Sequence, residues 1–347
     1  MRFYNGKHKY YCGIDLHARN MYSCILDQEG EVVLHRNLPA NPTFFLKAIE
    51  PFRDELVVAA ECMFTWYWLS DLCACEGIDF VLGHALYMKA IHGGKAKNDR
   101  IDALKIATLL RGGMLPQAYV YPPKMRSTRD LLRRRLKLVR QRGELLAHIQ
   151  NTHHQNNLPT PQVRLNYRCN REGIAENFAD PSVFESVSAD LELASHYDLL
   201  IKNLELSLTR KVKVHDPDNF FRLRSIPGVG KILAMTMLYE IHDIGRFESV
   251  QNFASYARLV KCEKSSSGKR LGTSGAKIGN AHLKWAFSEA AVLFLRANEP
   301  AQPYMEKLRK KHGKAKALSV LAHKLGRAVF FMMKNKRPFS IEDFRIA

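Results

Sequence analysis

Lys95-Ala96-Lys97-Asn98-Asp99-Arg100-Ile101-Asp102-Ala103 sets two carboxylates three residues apart where a helical pattern begins. Apolar residues follow at helical intervals, at Ile101, Leu104, Ile106, Ala107 and Leu110, until Gly112 and Gly113 close the segment. On a helix that spacing puts Asp99 and Asp102 on one face, aimed at one point. Taken alone, such a pair reads as a cap that complements the helix dipole. Its neighbours in the sequence give it a second reading.

Upstream, Tyr10 to Leu16, Met21 to Leu26 and Glu31 to Leu38 read as three strands, two of them a hairpin around the turn Asp27 to Gly30. A helix over Asn41 to Phe52, a buried strand from Glu55 to Ala60 running into Glu61, a helix over Thr65 to Glu76 and a strand from Ile78 to Leu82 complete the segment. A three-stranded meander followed by alternating helices and strands is the order of an α/β RNase H-like fold, in which acids at strand ends converge. Asp15 sits in the first strand, Glu61 ends the fourth, and Asp99 and Asp102 lie on the helix after the fifth. Singly, Asp15 reads as a strand-end acid and Glu61 as a helix-start acid. Together they repel unless a cation neutralises them, and hard oxygen ligands select Mg2+ or Mn2+. Such ions polarise a phosphodiester and stabilise both attacking and leaving oxygens.

The net charge of +19 lies entirely in the remainder: residues 1–120 carry thirteen bases against thirteen acids. A balanced head on a basic body predicts chemistry in one part and a polyanion, nucleic acid, held by the other. No signal peptide or membrane span is evident, and an anionic membrane surface fits less well. The seven cysteines are scattered, and Cys73-Ala74-Cys75 has no second pair to complete a zinc site, so a reducing, cytoplasmic setting is expected.

After Tyr121-Pro122-Pro123 a helix is expected over Ser127 to Gln150, with Leu131, Leu138 and Leu145 repeating at seven. Its other faces are basic, and Arg133, Arg134, Lys137 and Arg140, with little but Asp130 nearby, read as phosphate contacts; a solvated surface is the plainer reading. Residues 151–180 read as an irregular loop in which His153 and His154 have no third metal ligand. A helix over Pro181 to Lys213 carries Leu193, Tyr197, Leu200 and Leu204 as a coiled-coil seam, giving a long helical hairpin or an intermolecular coil. Ile226-Pro227-Gly228-Val229-Gly230 resembles a helix-hairpin-helix, with Gly228 and Gly230 letting amides approach a phosphate, or else a tight turn. Helices are expected over Val250 to Leu259, Asn280 to Arg296 and Ala315 to Lys334. Between the first two, Lys261 to Gly279 reads as a loop whose Lys264, Lys269, Arg270 and Lys277 suit a nucleic-acid backbone, or as a flexible linker. A serine there could attack phosphorus if a metal activated it. The expected parts are 1–122, 123–215 and 216–347.

Nearly the whole chain resembles the DEDD insertion-sequence transposases, the bridge-RNA-guided recombinases of bacterial mobile elements. The resemblance runs from Gly13-Ile14-Asp15 through Glu61, Asn98 to Asp102, Ile226 to Gly230 and Ser266 to Gly279 to His282-Leu283-Lys284-Trp285. It implies a RuvC-like metal site at Asp15, Glu61, Asp99 and Asp102, a coiled-coil linker and a mainly α transposase domain. It also implies a nucleophilic serine that forms a phosphoserine link to DNA, which by position is Ser266 rather than Ser265 or Ser267. Implied partners are double-stranded DNA, a structured noncoding guide RNA and further copies of the chain, as dimers and a synaptic tetramer, at the bacterial nucleoid. Cys62-Met63-Phe64 departs from the small residues and glycine of many relatives, and Asn98 replaces a commoner threonine. Two other readings stand beside recombination: a metal-dependent structure-selective nuclease of the junction-resolvase type with water as nucleophile, and a non-catalytic architectural protein.

Overall fold

The computed structural model describes residues 2–91, 98–274 and 278–344. The chain divides into two compact units, residues 1–123 and 124–347. In the first, strands β1 (Tyr10–Leu16), β2 (Asn20–Leu26), β3 (Val32–Pro39), β4 (Leu56–Glu61) and β5 (Asp79–Gly83) form one sheet in the order β3-β2-β1-β4-β5. β1 runs antiparallel to β2 and parallel to β4, and β4 parallel to β5. This mixed sheet fits the RNase H-like order read from the sequence.

The central strands are apolar on both faces because helices cover both. Cys12, Ile14, Val58 and Ala60 face α1 (Pro42–Ile49) and α2 (Trp66–Cys75), where Phe45, Ile49, Leu69 and Cys73 share their core. Tyr11, Val57, Ala59 and Val81 pack on the other side with Met88 of α3 (Ala85–Ile91) and with Ile106, Leu109 and Leu110 of α4 (Asp99–Arg111). Gly13 lies on that second side. A Cβ there would sit 2.3 Å from the Ala107 nitrogen and 2.4 Å from the Ala103 oxygen, so α4 rests backbone to backbone on β1.

In the second unit, α5 (Pro123–Gln155) and α6 (Pro181–His215) run antiparallel, joined by ion pairs of Arg135 with Glu205, Arg142 with Asp198, and His148 with Asp190. Val187, Ala194, Ile201 and Leu208 of α6 are buried at seven-residue steps, and Val212 is buried one turn further on. The seam expected at Leu193, Tyr197, Leu200 and Leu204 is corrected at Leu193, which is 48% exposed, one position round the helix from buried Ala194; Tyr197, Leu200 and Leu204 are half-buried beside the stripe. The segment expected as an irregular loop is an ordered cap on this hairpin. Its Leu165, Ile174 and Phe178 pack with Leu146, Ile149 and Val187. Buried Arg171 bonds the Leu165 carbonyl at 2.7 Å and pairs with Asp198 at 2.7 Å.

The rest comprises α7 (Pro217–Arg224), α8 (Lys231–Ile241), α9 (Val250–Tyr256), β6 (Cys262–Ser266), β7 (Lys269–Ser274), α10 (Ala281–Ala297), α11 (Gln302–His312), α12 (Lys314–Lys334) and α13 (Ile341–Phe344). α8 is buried from Leu233 to Ile241 and shares one core with α7, α10 and α12. The stretch expected as a serine-rich loop contains the β6–β7 hairpin, a correction with a local cause described below. No described helix is long and apolar enough to cross a membrane.

Candidate functional site

Strand alternation decides which acids meet. Odd-numbered residues of β1 and β4 face α4, so Asp15 and Glu61 follow Gly13 and Ala59 onto the side that α4 covers. The two strands are parallel neighbours with Ile14 opposite Ala60, which sets the two carboxylates at adjacent strand ends. Asn98 caps α4, its Oδ1 accepting from the Ile101 amide at 2.8 Å, and starts the helix so that Asp99 and Asp102 share its first turn. All four acids line one pocket of about 230 Å³ with Leu16, His17, Met63 and Phe64.

His17 was not singled out by sequence reasoning, although continued alternation from Asp15 points to it. Its Nε2 stands 3.5 Å from Asp15 Oδ2 and 3.5 Å from Asp99 Oδ1, and the three ligand atoms lie within 4.8 Å of one another. Burial pushes the Asp15 carboxyl above its usual range; His17 opposes the shift, while the charges of Asp99 and Asp102 add to it. Lys105 Nζ reaches Asp102 Oδ1 at 3.4 Å. Either protonation or a divalent cation relieves this crowding, and carboxylate oxygens of this kind fit a hard ion. The Cys62–Phe64 turn is tied at both ends: the Cys62 amide donates to the Gly83 carbonyl at 2.9 Å, and Thr65 Oγ1 donates to the Leu16 carbonyl at 2.9 Å. It presents Phe64, 80% exposed, at the pocket rim.

Ser266 lies in the second unit, exposed at the end of β6 and opposite Lys269. The two residues between them, Ser267 (φ 50) and Gly268 (φ 74), both have positive φ, the signature of a type I′ turn that suits a two-residue hairpin. That turn is why the serine-glycine run closes into strands. It also places the exposed Lys269 side chain across from Ser266 on the same face. The side chains of Lys264 and Arg270, and residues Lys95, Lys97 and Lys277, lie outside the described residues.

The basic helix needs a correction. Arg133 donates to Glu240 Oε1 at 2.6 Å and Oε2 at 2.8 Å, Arg129 to Oε2 at 2.9 Å, and Asn280 Nδ2 to Oε2 at 2.7 Å. Burial would raise the Glu240 carboxyl, but the Arg133 hydrogen bonds and the charges of Arg129 and Arg133, with Asn280, hold it at about 2. Arg135 and Arg142 pair with Glu205 and Asp198. The acids that neutralise this helix come from distant sequence, so Asp130 was a poor guide. Arg134, Lys137 and Arg140 stay exposed at three-residue steps, a single cationic line.

Gly228 has a packing role in this fold. It has φ 80, and a Cβ would meet the Leu293 carbonyl carbon and oxygen at 2.5 Å, so it seats the α7–α8 turn against α10. Gly230 is the N-cap of α8 with open space where a Cβ would be. His153 is buried against Phe178, its Nδ1 bonded to the Ile149 carbonyl at 2.9 Å.

A family profile for transposases of the DEDD IS110 type matches residues 12–155, and one described as the transposase IS116/IS110/IS902 family matches residues 221–306. A Coxiella burnetii protein named as the transposase for insertion sequence element IS1111A is 21% identical over 334 residues, covering 94% of this chain and 90% of that protein. A Sinorhizobium fredii protein named as a transposase is 28% identical over 209 residues, 57% of this chain, and the match spans about half of that relative, 48%.

Proposed function

The chain belongs to the IS110-type DEDD insertion-sequence transposases, and from that premise we propose that it cuts and rejoins DNA through a phosphoserine intermediate at Ser266. The observation that carries the reading is the convergence of Asp15, Glu61, Asp99 and Asp102 on one pocket with His17. Those four carboxylates would hold Mg2+, or Mn2+, which when bound polarises the scissile phosphate and stabilises charge on the attacking and leaving oxygens. Ser266 Oγ attacks phosphorus, one bridging P–O bond is exchanged for the serine ester, and the leaving oxygen takes up a proton. The ester retains the phosphodiester linkage's free energy, so attack by another strand's hydroxyl reseals DNA and returns the serine. Lys269, opposite Ser266, is suited to hold the phosphate during both steps.

Arg134, Lys137 and Arg140 present charge to a phosphate backbone, in keeping with an excess charge confined to residues after 120. The family resemblance adds a structured noncoding RNA as guide and assembly of several copies, with acids and serine drawn from different copies in a synaptic tetramer. The protein acts on DNA in the bacterial cytoplasm.

Covalent capture tests this. The protein is expressed with the noncoding flanks of its locus, denatured, and any attached DNA is labelled, for wild type, Ser266→Ala and Asp102→Ala. An adduct present in wild type and absent from both variants is expected. Cleavage without an adduct, or normal cutting by Ser266→Ala, assigns the nucleophile to water and sinks the reading.

A further inference from the structure

A cavity of about 280 Å³, away from the acids, lies along α12. One wall is the helix face carrying Lys324, Arg327, Phe331 and Asn335, spaced three, four and four. The other is the returning segment Arg337 to Ser340. That segment is fixed. Lys336 takes φ 54 and the Arg337 amide donates to the Met332 carbonyl at 3.0 Å, a Schellman closure of the helix. The Phe339 amide then donates to Ser225 Oγ at 2.8 Å, and its ring packs on Phe294. The cavity is therefore built before any ligand arrives.

Its lining is unusual for a solvated helix face. Phe331 is 44% exposed although the adjacent Phe330 is 2% exposed and fills the core. The Phe331 ring packs edge-on against Phe330, with centroids 5.3 Å apart, and leaves the rest of its surface open. Arg327, Asn335 and Arg337 make no side-chain hydrogen bond or ion pair among the described residues. Lys324 closes one end with its ammonium 4.6 Å over the Tyr304 ring. Two guanidinium groups without a partner among the described residues, beside an exposed aromatic ring, call for a ligand that is anionic and also flat. An acidic peptide supplies charge without the plane. A duplex supplies the phosphate while its bases stay stacked and out of reach.

We propose that this cavity takes one unstacked nucleotide from a single-stranded segment of nucleic acid, its base on Phe331 and its flanking phosphates on Arg327 and Arg337. The proposal rests on the reading of this chain as a nucleic-acid enzyme, and it adds a contact outside both the acidic pocket and the serine hairpin. Stacking on one aromatic ring and phosphate contact are the two components from which single-strand sites are made. Asn335, at the cavity edge, can meet the base's polar rim.

The test is photocrosslinking and salt-dependent binding with the full-length protein. Probes are 20-nucleotide single strands carrying 5-iodouracil, as DNA and as RNA, with the matching duplexes as controls. A crosslink mapping to Phe331 with a single strand and not with the duplex is expected; the DNA and RNA arms identify which strand occupies the site. Phe331→Ala weakens single-strand binding by about tenfold or more, and Phe331→Trp retains it while Phe331→Leu, which fills space without a ring to stack on, does not. Arg327→Gln with Arg337→Gln lowers the slope of log affinity against log salt by about 1.4, the value for two phosphates on a single strand. If wild type binds these strands but Phe331→Ala and the arginine pair bind identically and the crosslink falls elsewhere, the cavity proposal is overturned while the nucleic-acid reading stands. If wild type binds none of the strands or duplexes, both fail.

Discussion

Substituting Gly13→Ala adds one methyl group where the structure has no room for it. The new Cβ would lie 2.3 Å from the Ala107 nitrogen and 2.4 Å from the Ala103 oxygen, both backbone atoms that no rotamer change can move, whereas ordinary contact begins at 3.4 Å. Relief requires α4 to recede from β1 by about 1 Å, since a close-packed interior has no slack to absorb it. Overpacking of this kind costs about 1 to 3 kcal/mol. Asp99 and Asp102 ride in the first turn of the same helix, so the shift carries them away from Asp15 and Glu61. Misplacement by about 1 Å is enough to cost about a hundredfold in rate at a site that depends on positioning. Two assays separate the effects. Thermal unfolding reads the packing and should fall by about 4 °C or more. Mn2+ titration, followed by the electron paramagnetic signal of the free ion, should show at least tenfold weaker binding. A Gly13→Ala protein with wild-type melting and wild-type Mn2+ affinity would refute the claim that backbone contact at Gly13 sets the site.

Other tests address the supporting frame. Glu240→Ala leaves Arg129 and Arg133 facing a buried gap and should cost about 3 to 5 kcal/mol in urea unfolding at pH 7. Because the folded carboxyl is held at about 2 against an ordinary 4.5, its contribution is complete above the ordinary value and lost as pH falls towards 2, so the deficit of the variant should shrink between pH 4.5 and 2. A deficit constant over that range would contradict the assignment. Ile201→Ala should cost about 2 to 5 kcal/mol, whereas Leu193→Ala, on the exposed side of α6, should stay within about 0.5 kcal/mol. Equal losses would restore the seam expected from spacing. Asn98→Ala should cost about 1 kcal/mol and speed hydrogen exchange at the Ile101 amide; unchanged exchange there would mean that the cap bond does not hold the helix start.

Local chemistry made much of this protein readable in advance. Five strands and α1, α2 and α4 appear where period-two and helical patterning put them, because burial on both sides of a sheet demands those patterns. The Asn98 cap and the two acids behind it were legible for the same reason: a cap bond spans only three residues. The serine-rich hairpin was written in Ser267-Gly268, yet it was masked by a composition that resembles a linker. What lay beyond reach was every partnership between distant residues of like spacing. Leu193 and Ala194 are equally good helix residues, and only the packing of α6 chooses the smaller one for its buried side. Arg133 is charged whether it faces a phosphate or Glu240, which lies more than a hundred residues away. His17 joins Asp15 and Asp99 only once α4 is laid across β1 at Gly13. Sequence by itself therefore determined the elements and the acids, since those follow from forces acting within a few residues. Tertiary structure alone decided which charges meet and which remain open to a ligand, because burial and Coulomb energy depend on distances that chain order does not contain.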